Sequence, residues 1–143
     1  MFRKILVAVD GSEGADRAVA AAAELAAALP GAQVAMLTVT EPVPLFVVDE
    51  LRANGLDPAM LQERHAEELL EAHAGPLRER GIDYLPLTAV GDPATEICRT
   101  AQDGGYDLIV MGRRGLGPIQ EMLAGSVSAK VVHRAKRAVL IVQ

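Results

Sequence analysis

Apolar positions along the chain fall into five short runs separated by segments of helical spacing. Residues 5–9, Ile-Leu-Val-Ala-Val, form an unbroken apolar run, the pattern of a strand buried on both faces. Gly11-Ser12 breaks it, and Ser12 is placed to cap a helix. In that helix Ala18, Val19, Ala22, Leu25, Ala26 and Leu29 recur at helical spacing until Pro30-Gly31 ends it. A second strand is expected over 34–39 and a third over 84–90. The third contains Pro86, which cannot donate to a ladder, so it belongs at a sheet edge. Between these strands, residues 59–80 predict one helix with Leu61, Leu69, Leu70, His73 and Leu77 along a broad stripe, stopped by Gly81. Pro93 opens a shorter helix with Ala94, Ile97, Cys98 and Ala101 on its buried side. Residues 106–111 predict the fourth strand, Ser126 caps a last helix reaching residue 135, and Ala138–Val142 reads as the fifth strand.

Strands alternating with helices in this way predict a single α/β domain over residues 1–143, a doubly wound and mostly parallel sheet with helices on both faces. Ligands in such sheets settle beyond the carboxyl ends of the strands, where the strand order reverses. The first and fourth strands run into the two most glycine-bearing turns, Asp10-Gly11-Ser12 and residues 112–117, so the site is expected there. The connection over 41–58, punctuated by Pro42 and Pro44, is long for a compact domain. It reads equally as a lid or as a variable surface insertion.

Composition narrows the function classes. With two Tyr, two Phe and no Trp, the chain lacks stacking platforms for single-stranded nucleic acid. The net charge of −5 argues against a broad grip on a phosphate backbone. The cations Arg134, Lys136 and Arg137 read instead as a solvated helix end, where they suit the helix dipole. Cys98 is alone, which excludes an intramolecular disulfide and is compatible with a reducing compartment. No apolar run approaches the ~20 residues of a membrane helix, and the apolar start is too short for a signal peptide. The expected location is cytoplasmic, with neither membrane nor nucleic acid as partner.

The chemistry concentrates after the fourth strand. Gly112, Gly115 and Gly117 lie within six residues of one another and allow backbone amides to converge on an anion. Gly125-Ser126 begins a helix, whose free N–H groups and positive dipole end also favour phosphate. Ser126 and Ser128 add hydroxyl donors, and Arg113 and Arg114 read either as added positive charge or as side chains pointing to solvent. Neither G-x-x-x-x-G-K-[ST] nor a G-x-G-x-x-G after the first strand occurs, which excludes a P-loop and a Rossmann fingerprint. His65 and His73 are too far apart on one helix to share a metal, and no H-E-x-x-H is present. Both read as surface or stripe positions, and Cys98 as a buried, inert thiol.

Gly112-x2-Gly115-x9-Gly125-Ser126 matches G-x2-G-x9-G-[ST], and with it the chain resembles the nucleotide-binding branch of the universal stress proteins. The likeness extends through Ser126-Val127-Ser128, the closing Ala138–Val142 segment and the opening Ile5-Leu6-Val7-Ala8-Val9-Asp10-Gly11-Ser12. This resemblance implies a five-stranded parallel sheet of order 3-2-1-4-5. It further implies that Gly112, Arg114, Gly115, Gly125 and Ser126 surround the phosphates and ribose, with Met111, Val127 and Ser128 beside them. Asp10 would meet the adenine or ribose edge next to Ala8 and Val9, and Val39 would form part of the adenine wall. A capping role for Asp10 is the competing reading. The ligand implied is ATP or ADP accompanied by Mg²⁺, with few protein ligands to the metal. A homodimer through Ala138–Val142 and an unidentified protein partner complete the expectation.

Three functions then compete. The chain is a nucleotide-dependent sensor or regulator in a stress response, a slow ATPase or phosphoryl or adenylyl transferase, or a structural dimer with an inactive site. No general base stands beside the glycine loop, so no catalytic residue is expected and turnover should be low.

Overall fold

The run Ile5-Leu6-Val7 has no polar face because it occupies the middle of a sheet covered on both sides, and all three residues are fully buried. The computed structural model describes residues 2–113 and 126–143. Its strands are β1 (Lys4–Ala8), β2 (Gln33–Thr40), β3 (Tyr84–Val90), β4 (Leu108–Gly112) and β5 (Ala138–Val142). They form one sheet in the order β3-β2-β1-β4-β5, every pairing parallel. Ile5 lies between Val34 of β2 and Leu108 of β4, which fixes the register at the centre. Pro86 lies on the edge strand β3 opposite Met36, as its missing N–H requires.

Six helices connect the strands among the described residues: α1 (Glu13–Ala28), α2 (Leu45–Ala53), α3 (Pro58–His73), α4 (Gly75–Glu79), α5 (Pro93–Asp103) and α6 (Ser126–Arg134). Strand alternation divides the core in two. Ile5, Val7 and Val9 pack with Ala18, Val19 and Ala22 of α1, Leu70 of α3 and Leu77 of α4. Leu6 faces the other way and packs with Ala94, Ile97 and Ala101 of α5 and Val131 of α6. Each such Leu or Ile contributes about 1.5–3 kcal/mol relative to exposure. With so few aromatic rings, small alanines on α1 and α5 let the helices settle close to the sheet.

Four local expectations need correction. The helix expected over 59–80 is two helices, α3 and α4, joined at Ala74. Pro76 has no N–H and its ring would strike the carbonyl four residues earlier, so a single helix cannot pass through it. The connection over 41–58 contains the helix α2, which buries none of its residues and packs on α3. Ser12 stands at the N-cap position of α1 but its side chain accepts no hydrogen bond from the helix; its hydroxyl donates to Asp10 instead. Cys98 is half-buried rather than fully enclosed.

Candidate functional site

β1 and β4 are adjacent strands whose chain connections leave in opposite directions, β1 toward β2 and β4 toward β5. Their carboxyl ends therefore part around a crevice. A cavity of about 260 Å³ occupies this place, lined by Ala8 of β1, Val9 and Asp10 just after it, Val39 of β2, Met111 and Gly112 of β4, and Val127 and Ser128 of α6. Eight of the sequence-derived positions thus converge from four separate elements. Arg114, Gly115 and Gly125 lie outside the described residues, and of Ser126 only its place at the start of α6 is described.

Backbone pairing holds the strand ends. The Val9 N–H donates to the Leu37 carbonyl at 2.8 Å, so β1 stays joined to β2 at the lip of the cavity. Beyond it the chain turns sharply. Asp10 Oδ1 accepts from the Ser12 N–H at 3.0 Å and from the Ser12 hydroxyl at 2.6 Å. Gly11 sits within that turn at a φ of +85°, a conformation that L side chains rarely adopt. Asp10 therefore shapes the turn between β1 and α1 rather than capping the helix, and it lines the cavity.

Gly112 meets a different demand. A Cβ at this position would lie 2.4 Å from the Gly14 carbonyl oxygen and 2.6 Å from its carbonyl carbon. The first turn of α1 thus rests directly against the end of β4, backbone on backbone. Gly14 is the partner that sequence reasoning missed; its neighbours in the chain give no sign of a contact made with a residue so distant in sequence.

The lining mixes apolar walls with polar groups in the proportions of a small-molecule site. Met111 and Ile97 are almost wholly buried, and Val39, Leu37 and Pro93 continue the apolar side. Asp10, Ser12, Thr38, Thr40, Glu41 and Ser128 provide the polar atoms, Thr38 and Ser128 being themselves buried. Val127 and Ser128 bring in the first turn of α6, whose dipole presents partial positive charge. Pro93 and Ile97 were legible only as the start and stripe of α5; their i, i+4 spacing also puts them on one face toward the cavity. Leu69 arrives from α3 and touches the turn, its Cδ1 lying 3.3 Å from where a Cβ on Gly11 would be. Arg113 is exposed and does not line this cavity; its N–H donates to the Val142 carbonyl at 2.8 Å. Among the described residues no group of three or more His, Cys, Asp or Glu side chains could hold a metal ion. No described helix is long and apolar enough to cross a membrane.

Comparison with known proteins agrees with this geometry. The model of the universal stress protein family matches residues 1–143. The universal stress protein YxiE of Bacillus subtilis is 34% identical, with all of both chains aligned. A universal stress protein of Thermus aquaticus is 38% identical, again over the whole of both chains. Among solved structures, MJ0577 of Methanocaldococcus jannaschii superimposes with a TM-score of 0.80 at 29% identity, covering 99% of this chain and 96% of that one. A universal stress protein in complex with cAMP gives 0.71 at 29% identity, covering 99% and 97%. The Archaeoglobus fulgidus protein in complex with dAMP gives 0.68 at 25% identity, covering 99% and 98%. With its strand order, its cavity at the strand ends and a family match along its full length, this chain belongs to the universal stress protein family.

Proposed function

We propose that the chain binds an adenine nucleotide, ATP or ADP, in the cavity at the ends of β1, β2 and β4, and acts as a nucleotide-dependent regulator in a stress response. The observation that carries this reading is the convergence of Ala8, Val9, Asp10, Val39, Met111, Gly112, Val127 and Ser128 on one cavity at the point where the strand order reverses. Structural relatives solved with cAMP and dAMP support the choice of an adenine ligand. In this assignment the apolar wall of Val39, Ile97 and Met111 takes the base, and Asp10 meets the base or ribose edge. The phosphates lie toward Gly112 and the start of α6, where Ser126, Val127 and Ser128 offer amides and hydroxyls. Arg114, Gly115 and Gly125 complete the phosphate cradle by the motif.

Mg²⁺ would enter with the phosphates and neutralise part of their charge, keeping most of its waters. Asp10 and Glu41 are the acidic residues of the described lining, and their carboxylates would meet such an ion through its waters. The described lining holds no histidine or lysine, and of its two carboxylates Asp10 is already engaged by the Ser12 amide and hydroxyl. A binding role therefore suits the site better than rapid hydrolysis.

β5 is an edge strand with Leu140 exposed on it, and it is the surface through which a homodimer would pair. The test of the binding assignment is to denature purified protein, identify any released nucleotide by mass, and titrate the nucleotide-free protein with ATP and Mg²⁺ by calorimetry. Saturable binding with one site per chain, lost on replacing Gly125 with a bulky residue, is expected. No heat and no bound nucleotide would retire the regulator in favour of a structural dimer, and turnover above about 1 s⁻¹ would favour an enzyme.

A further inference from the structure

A second cavity, also of about 260 Å³, lies between α5 and α6, lined by Cys98, Gln102, Arg134, Ala135, Lys136 and Arg137. It shares no residue with the first. The two helices begin at the first cavity, with Pro93, Val127 and Ser128, and end at the second, with Gln102 and Arg134. The second cavity therefore sits toward the opposite end of the α5–α6 layer.

Three of its six lining residues are cations and none is an acid. Arg134, Lys136 and Arg137 form no ion pair among the described residues, as is also true of Arg17, Arg52 and Arg64, whereas Arg78, Arg80 and Arg99 each face a carboxylate. Arg137 is half-buried and reaches its place through a tight turn in which its N–H donates to the Ala135 carbonyl at 2.7 Å. The C-terminal dipole of α6 offsets part of this charge, about half an elementary charge against three. Cys98 adds no negative charge at neutral pH, because burial raises its thiol pKa, with Arg134 only partly countering that effect. In a chain of net charge −5, these three like charges around one hollow, Arg134 and Lys136 exposed and Arg137 half-buried, raise the positive potential that an anion meets there.

We propose that this cavity is a binding site for a small phosphate-bearing anion of the pyrophosphate class, held by Arg134, Lys136 and Arg137 with Gln102 donating from α5. Guanidinium pairs suit phosphate oxygens, which they contact through two parallel N–H groups. The volume accommodates more than a single phosphate group and leaves the thiol of Cys98 at the edge of the bound anion. The site is independent of the nucleotide assignment, since it uses none of the same residues.

Cys98 is the chain's only cysteine and therefore a built-in reporter. The experiment follows the rate of Cys98 alkylation by uncharged iodoacetamide as pyrophosphate is raised, with ionic strength held constant by sodium chloride and without Mg²⁺. Saturable slowing is expected in the native chain. The double variant R134Q/R137Q should need about tenfold or more pyrophosphate for the same protection, having lost two charge-assisted contacts. K136Q should be affected less, and thermal melts of each variant establish that it is folded. A rate indifferent to pyrophosphate, or equal slowing by chloride alone, overturns the proposal. Protection that survives in folded R134Q/R137Q overturns it too, because the anion is then held elsewhere, as in the nucleotide cavity.

Discussion

Gly112 is constrained twice, by the expected approach of phosphate and by the backbone of Gly14. The second constraint operates with no ligand present, so it can be measured by stability alone. Gly112→Ala should destabilise the chain by about 1–3 kcal/mol, the usual cost of forcing atoms into a filled contact. Gly14→Ala makes a gentler clash, 3.2 Å to the Arg113 carbonyl oxygen, and regains helix propensity of about 0.5–1 kcal/mol, so it should be close to neutral. Urea unfolding of the two variants checks the ranking, and equal stabilities would mean that the α1–β4 contact yields easily. The glycine at 112 was visible in the sequence as part of a phosphate motif; its packing partner was not. Close approach is a property of two distant positions, and neither Gly14 nor its neighbours carries any local mark of it. The same holds for Asp10, where the sequence leaves open a helix cap or a ligand contact, and the structure shows a third arrangement, the turn bonded to Ser12.

At the scale of elements, strands and helices were legible wherever burial imposed a period. β1 and β4 lost their polar face to double coverage, and α5 shows the strongly one-sided pattern expected of a helix on a sheet. The element that escaped notice, α2, buries no residue and so carries no such constraint, with Leu45 79% and Phe46 73% exposed. The break between α3 and α4 turned on Pro76, whose cost inside a helix outweighs the continuous stripe around it. The start of α5 gives a pH prediction. Asp92 caps it, accepting from the Thr95 N–H at 3.0 Å and from the Thr95 hydroxyl at 2.8 Å. The Thr95 hydroxyl, then the Thr95 amide, hold the Asp92 carboxyl below its ordinary 3.8. A carboxyl depressed on folding stabilises above its unfolded pKa and loses that contribution as pH falls through the lower folded value. Asp92→Ala should therefore melt at a lower temperature than the native chain at neutral pH, and the gap should close below about pH 3.8, measured by thermal unfolding across that range. His73 and Asp16 tie α3 to α1 at 2.5 Å, but Asp16 is 59% exposed. A double-mutant cycle with His73→Ala and Asp16→Ala should return a coupling of about 1 kcal/mol or less, as for other exposed pairs.

For the whole molecule, binding must appear as stability. A nucleotide that fills the cavity of the folded chain and ignores the unfolded one should add about 2.7 kcal/mol at a hundredfold excess over Kd. Calorimetric melting with and without ATP and Mg²⁺ measures this directly, and an unmoved melting temperature would count against the site. The dimer proposed through β5 is tested at the same scale. Leu140→Lys places a charge on the exposed edge strand and should yield a monomer by sedimentation without loss of fold. If the native chain is itself monomeric at micromolar concentration, the β5 interface falls with it. The fold class was legible from the alternation of strands and helices, and the strand order through the resemblance to the universal stress proteins. The walls supplied by Thr38, Glu41 and Leu69 were not, since they depend on how distant elements close over one another.

The pairing of β1 with β4 has a consequence for the order of events when the chain is made. Ile5 emerges early from the ribosome, yet its partner Leu108 follows only after β2, β3 and the helices between them. Until then the central strand has one neighbour and an open flank. The first cavity needs Ala8 at one side and Ser128 at the other, so no chain that stops short of α6 possesses it. Whatever ligand it takes can select only chains in which α6 has already docked, which makes occupancy a report on that docking as well as on ligand supply.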